Sequence, residues 1–350
     1  MPHEDPPLSN AAPYEGLTPN VVLDALAEVG CFGDGRLIQL NSYENRVFQV
    51  FLEDQSVVVA KFYRPKRWSD AQILEEHGFA QELAAQDIPV IAPLPLVLSL
   101  GAGNSTHISV KPNTLATVQT QAGAYRFSLS PRRSGRAPEL ENPEVLEWIG
   151  RFIGRMHAVG QQRPFTHRRT LSVAEFGLAS RDYLLAQQIV SPQWQERWTT
   201  LVNEVLRLTE QRFAQLQAQG SAVPIRLHGD CHVGNVLWTE NGPHFVDLDD
   251  AVMGPAVQDL WMLLSGEKQA AKQQLRALLQ GYEQFMDFDD RELSLIEPLR
   301  SLRIIHYSAW LARRWSDPAF PAAFPWFGTE AYWSEQITQL QDQVDAMQGD

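Results

Sequence analysis

His228-Gly229-Asp230-Cys231-His232-Val233-Gly234-Asn235, followed by Val246-Asp247-Leu248-Asp249-Asp250, is the stretch on which fold and chemistry turn. Short β-type runs at 225–227, 236–238 and 245–248 enclose it, in a half of the chain whose other apolar residues recur at helical spacing. An Asp five residues ahead of an Asn, with a second Asp closing a β-turn-β unit, is what phosphoryl transfer needs. Asp230 is expected to orient an acceptor hydroxyl and take its proton. Asn235 and Asp247 supply oxygen ligands of the kind Mg2+ prefers, to hold that ion against the phosphates of ATP. The plainer alternative is that these Asp and His residues only cap turns. It loses weight because further parts of the same machinery occur upstream, in the required order.

Residues 47–51 and 57–62 flank Glu53-Asp54-Gln55-Ser56 in the pattern of an antiparallel hairpin. Alternation places Lys61 on the face of Val57 and Val59, where a lysine needs an anionic partner. Ser69-Asp70-Ala71-Gln72 then reads as a capping box opening a helix, with Ile73, Ala80, Leu83 and Ala84 as its apolar stripe before Pro89. Lys61 is expected to contact the α and β phosphates, held by a carboxylate of that helix. Glu75 and Glu76 compete for the task, and the spacing to Phe79, Ala80 and Leu83 favours Glu76. Just before the hairpin, Asn41-Ser42-Tyr43-Glu44-Asn45 offers short polar side chains on a turn suited to covering phosphates, with Ser42 and Asn45 as candidate contacts. There is no GxxxxGK[ST] loop and no GxGxxG ahead of a helix, which excludes the commonest ATP motif and weakens a dinucleotide reading.

The rest of the chain is consistent with two lobes. It has 350 residues, 44% of them hydrophobic, enough for a substantial core. A small, mostly antiparallel β lobe with one helix is expected over 18–131, with turns at 101–104 and 121–123, after a loose leader at 1–17. A larger, mainly α lobe follows over 132–350, beginning with a helix at Asn142-Pro143 that runs to Gly160. This is an α+β, bilobal, protein-kinase-like arrangement. A net charge of −13 argues against a general nucleic-acid binder. Two isolated cysteines fit a reducing cytoplasm, and no apolar run is long enough to cross a bilayer. Asp259 is expected to fix the catalytic loop or cap a helix, His228 to organise the loop, and Cys231 to be a small packed thiol. The Trp- and Pro-rich tail at 315–333 is expected to pack under the helical lobe.

Seven stretches, 40–47, 61–65, 73–77, 227–235, 246–250, 254–261 and 310–315, resemble the bacterial stress response kinase A family, of the aminoglycoside and choline kinase branch of protein-kinase-like folds. The likeness runs from about residue 18 to 333. It implies a serine/threonine protein kinase, able to phosphorylate itself and acting in stress survival. On it, Ser42 and Lys61 match the ATP site, Asp230 the proton acceptor, and Asn235 and Asp247 the magnesium ligands. The implied partner is a protein bearing a Ser or Thr acceptor, met by a cytoplasmic monomer, with no nucleic acid or membrane. The short connection from Asp247 to Gly254-Pro255 leaves no room for a long activation segment. It keeps a small-molecule hydroxyl kinase in play. A two-metal phosphoesterase on Asp230, His232 and Asn235 would need more paired histidines, and a binding-only pseudokinase would not need Lys61, Asp230, Asn235 and Asp247 all present.

Overall fold

The computed structural model describes residues 13–98, 108–111 and 113–349. The turn expected at 101–104 and most of the leader lie outside them. The chain divides into two compact units, neither continuous in sequence: Met1–Ser69, Leu94–Arg132 and Leu311–Phe327 form one, and Asp70–Pro93, Arg133–Trp310 and Gly328–Asp350 the other.

The first unit opens with α1 (Pro19–Glu28), a helix the sequence reading passed over although its signal was present: the Thr18 hydroxyl accepts from Val21 N at 3.3 Å and Pro19 sits in the first turn. Then come β1 (Gly33–Leu40), β2 (Arg46–Leu52), β3 (Val57–Phe62), β4 (Ile108–Lys111), β5 (Leu115–Thr120) and β6 (Gly123–Pro131). They make one antiparallel sheet in the order β1-β2-β3-β6-β5-β4. Alternation puts Val58, Ala60 and Phe62 into the core and leaves Lys61 on the opposite, half-exposed face with Val57 and Val59, as expected. Val22 and Leu26 of α1 close one side of that core against Phe48, Val50 and Phe127. Tyr14 is buried there too and Leu17 packs against the same core, so the loose segment expected over 1–17 does not include them.

The second unit begins with α2 (Asp70–Ala85), buried along Ile73, Glu76, Phe79, Ala80 and Leu83, while Ala84 faces solvent against expectation. Next come α3 (Pro143–Gly160), α4 (Ala179–Ala186) and α5 (Pro192–Ala218). Asn142 caps α3 by accepting from Glu144 N at 3.0 Å. Two short antiparallel ribbons follow. β7 (Ile225–Leu227) pairs with β10 (Val252–Gly254), and β8 (Val236–Thr239) with β9 (Gly242–Phe245). α6 (Gln258–Trp261), α7 (Lys268–Tyr282) and α8 (Ile296–Arg313) complete the helical body.

Two helices of this body touch backbone to backbone. A Cβ added at Gly150 or Gly154 of α3 would collide with the carbonyl oxygen of Leu278 or Tyr282 on α7, and one at Gly281 with that of Glu147. Gly150→Ala is therefore expected to force the helices apart and cost about 2 kcal/mol, read as a lower midpoint in urea; an unchanged midpoint would refute the close-contact account.

Glu292, in the 3-10 turn ahead of α8, is buried and accepts from Val257 N at 3.0 Å. Burial, helped by the nearby charge of Asp289, pushes its carboxyl from 4.5 up to about 7. The folded protein thus holds this proton more tightly than the unfolded chain does. Its stabilising effect is complete below about 4.5 and is lost as pH rises through about 7, a fall of about 3 kcal/mol. Glu292→Gln should flatten that slope when urea midpoints are compared at pH 5 and pH 8.

The tail corrects one expectation. Residues 311–327, carrying α9 (Ala319–Ala323), belong with the β unit and not under the helical one, and only α10 (Glu330–Gly349) returns to the helices. Trp198 of α5 and Trp333 of α10 meet edge to face there. Among the described residues no helix is long and apolar enough to cross a membrane.

Candidate active site

β7 ends at Leu227 and hands the chain to a loop held from below by Asp259. The carboxylate of Asp259, fully buried, accepts from His228 N and Gly229 N, each at 2.8 Å. His157 Nε2 lies 3.1 Å from the same carboxylate, and its Nδ1 is 3.0 Å from the Tyr282 hydroxyl. This is the loop-fixing role expected of Asp259, with two supporting side chains the sequence gave no sign of. Gly229 has φ +85, and a Cβ there would strike the Asp250 carbonyl, so only glycine lets the two loops meet. His228 Nε2 lies 2.9 Å from Val246 O, tying the loop to the segment carrying Asp247.

Asp230 and Asn235 come together. Asn235 Nδ2 donates to Asp230 O at 2.9 Å and lies 3.5 Å from its Oδ2. That fixes the amide so that its oxygen points away from Asp230 and is left for another partner. His232 Nε2 also lies 3.5 Å from Asp230 Oδ2, and its Nδ1 accepts from Gly234 N at 3.0 Å, which puts the ring proton on the Asp230 side. The third neighbour is Arg303 of α8, whose Nη1 is 2.8 Å from Asp230 Oδ1. Burial would raise the Asp230 carboxyl, yet the hydrogen bond from His232 and the charge of Arg303 outweigh it and hold the group well below the ordinary range. Cys231 is fully buried and its thiol is pushed up by burial, as a packed, unreactive group should be.

The strand expected at 245–248 stops at Phe245. Val246 N donates to Asn235 O at 3.0 Å, and Asp247 then turns left-handed at φ 60, ψ 63 before a 3-10 turn over Leu248–Asp250. A left-handed Asp cannot continue a strand, which is why the apolar pattern misled. Held strain of this kind is characteristic of functional positions. Both candidate metal ligands are thus oxygen donors on the paired edges of one ribbon, a donor set that fits a hard divalent ion sharing its shell with phosphate. Among the described residues there is no cluster of three His, Cys, Asp or Glu side chains that could hold a metal ion.

In the other unit, Lys61 pairs across β3 and β6 with Ser128, and its Nζ lies 5.6 Å from the Tyr63 ring centre. The Ser42 hydroxyl accepts from Asn45 N at 3.3 Å, and Asn45 is buried with its amide oxygen taking Arg64 N at 3.1 Å. Glu44, between them, is the surprise. Its carboxylate faces Arg64 at 3.0 Å, Arg67 at 3.7 Å and Arg314 at 2.5 Å, while Arg64 also meets Asp317 at 2.8 Å. Burial works to raise Glu44, and the three guanidiniums overcome it and hold the carboxyl below its ordinary value. Tyr43 packs on Phe324 at 4.8 Å between ring centres. The turn at 41–45 is therefore anchored by the tail segment 311–327, through residues 250 or more positions away that local sequence reading could not pair.

Glu75 and Glu76 part company within the second unit. The Glu75 carboxylate accepts the backbone N–H groups of Thr166, His167 and Arg168, the last two at 2.8 Å, and these hold its carboxyl down against burial. Glu76 is buried on α2, 3.8 Å from His77 Nε2.

Comparison with known proteins agrees with this geometry. Residues 36–296 match the phosphotransferase enzyme family. The chain is 43% identical over 339 residues to a Salmonella typhimurium protein named serine/threonine protein kinase RdoA, covering 96% of this chain and 95% of that one. It is 41% identical over 342 residues to Escherichia coli stress response kinase A, covering 97% and 96%. Among solved structures, the fold is shared with amicoumacin kinase hAmiN in complex with AMP-PNP, Ca2+ and Ami (TM-score 0.69, 21% identity, 93% of each chain). It is also shared with a microcompartment-associated aminopropanol kinase (TM-score 0.64, 16% identity, 94% of this chain and 96% of that one). A relationship of that strength along nearly the whole chain makes this protein an ATP-dependent member of the phosphotransferase enzyme family and, within it, of the stress response kinase A family.

Proposed function

We propose that the protein is a Mg-ATP-dependent kinase that transfers the γ-phosphoryl group to Ser or Thr hydroxyls of proteins, itself included, as part of a stress response. The observation that carries the chemistry is the Asp230–Asn235 pair, set on a loop whose backbone is clamped by Asp259. Asp230 accepts the hydrogen bond of the incoming hydroxyl, aims its oxygen and receives its proton. The acceptor O–P bond forms as the bond to the leaving ADP oxygen breaks. Asn235 and Asp247 would hold Mg2+, which when bound neutralises charge on the phosphate oxygens. Ser42 and Lys61 are assigned to the nucleotide phosphates, Glu76 to orienting Lys61, and Asn45 to shaping the turn that carries Ser42. The protein acceptor rests on the names of the 41–43% identical relatives. A cytoplasmic monomer is part of the same reading.

A small-molecule acceptor is the second reading, because only a 3-10 turn and a three-residue strand lie between Asp247 and α6 at Gln258. No extended segment is available there to cradle a peptide. Labelled ATP with Mg2+ separates the two. Phosphate appearing on the protein itself or on a generic protein substrate supports the first, and label found only on a metabolite alcohol overturns it in favour of the second.

A further inference from the structure

We propose that Arg303 reads an anionic group on the acceptor, so that this enzyme phosphorylates hydroxyls flanked by a carboxylate or phosphate. The inference rests on Asp230 being the proton acceptor. Three groups occupy the Asp230 carboxylate: His232 and Asn235 on Oδ2, and Arg303 Nη1 at 2.8 Å on Oδ1. The first two are tethered a second time, His232 through Gly234 N and Asn235 through Asp230 O. Among the described residues Arg303 has only a 3.9 Å contact with Met262 Sδ besides, and its side chain is 45% exposed. A hydroxyl that donates to Oδ1 of Asp230 therefore competes with Arg303 for that oxygen and displaces it.

Where the guanidinium goes then decides which acceptors are favoured. A neutral acceptor returns it to water and gains nothing. An anion a few ångströms from the hydroxyl receives it as a forked, charge-assisted pair at the moment it leaves Asp230. An amine in the same place meets like charge. The shared chemistry is a hydroxyl beside an anion, and its source is either an acidic peptide or a small hydroxy acid.

The test compares kcat/KM for a serine peptide flanked by glutamates, the same peptide flanked by lysines, glyceric acid and ethanolamine. The wild type should favour the anionic member of at least one pair by about tenfold, and the pair that responds names the source. Arg303→Met should bring the ratio near one, Arg303→Lys, which keeps the charge and loses the fork, should retain only part of it, and Arg303→Glu should invert it. A wild type without charge preference, a ratio that survives Arg303→Met, or no transfer to either anionic acceptor overturns the proposal. Asp230→Asn run beside them separates the two layers. Transfer persisting there sinks the proton-acceptor reading itself, whereas a dead Asp230→Asn with no charge preference in the wild type sinks only the role of Arg303.

Discussion

Asp230→Asn is expected to lower phosphoryl transfer by about a thousandfold while leaving the protein folded. The amide keeps the volume of the carboxylate and still offers an oxygen to Arg303 or His232, so the loop has no reason to move. What it loses is the negative charge that aims the hydroxyl and the site that accepts its proton. Asp230 is 26% exposed, and His232, Asn235 and Arg303 all sit on its oxygens. Phosphate incorporation from labelled ATP, followed with a urea melt of the same preparation, measures both halves. Transfer within tenfold of wild type would remove Asp230 from the chemistry. A large loss of stability would make the kinetic result uninformative about it and point to a structural role instead.

The second large effect belongs to a residue that touches no substrate. Asp259→Ala leaves the N–H groups of His228 and Gly229 without their acceptor and strips His157 of one of its two partners, all in a buried place. Two unsatisfied buried donors cost about 3 kcal/mol together. Activity should fall further than stability, because the unclamped loop carries Asp230 and Asn235. Asp259→Asn, which restores one oxygen acceptor but turns an amide N–H toward the other donor, should lie between. The check is kcat at a temperature where urea melts show each variant still folded. A variant that is folded and fully active would mean that the clamp is dispensable.

What the sequence made legible, and what it hid, follows from the range of each interaction. The hairpin around Lys61 could be read because alternation is a local property, and the closeness of Asp230 and Asn235 because both lie in one short loop. α1 could have been read as well, since Thr18 and Pro19 spell its start. The end of β9 was misplaced because Asp247 leaves the strand by adopting a left-handed backbone, and nothing in the composition of an apolar run announces that. The anchoring of Glu44 by Arg314, and of Arg64 by Asp317, joins segments far apart in the chain, as does the contact of Arg303 with Asp230. Each of those arginines reads locally as an ordinary charged position, Arg303 and Arg314 on or beside a helix and Arg64 just after a strand. Only the fold shows that Arg303 faces the loop that carries Asp230, and that the aromatic tail belongs with the β unit.

A crystal structure of the protein with Mg2+ and a non-hydrolysable ATP analogue addresses the assignment of Asn235 and Asp247 most directly. The ion should be bound by the side-chain oxygens of both residues and by phosphate, with Asp230 outside its coordination shell. An ion held by neither Asn235 nor Asp247, or one ligated by Asp230 in their place, would contradict the division of labour between proton acceptor and metal ligands.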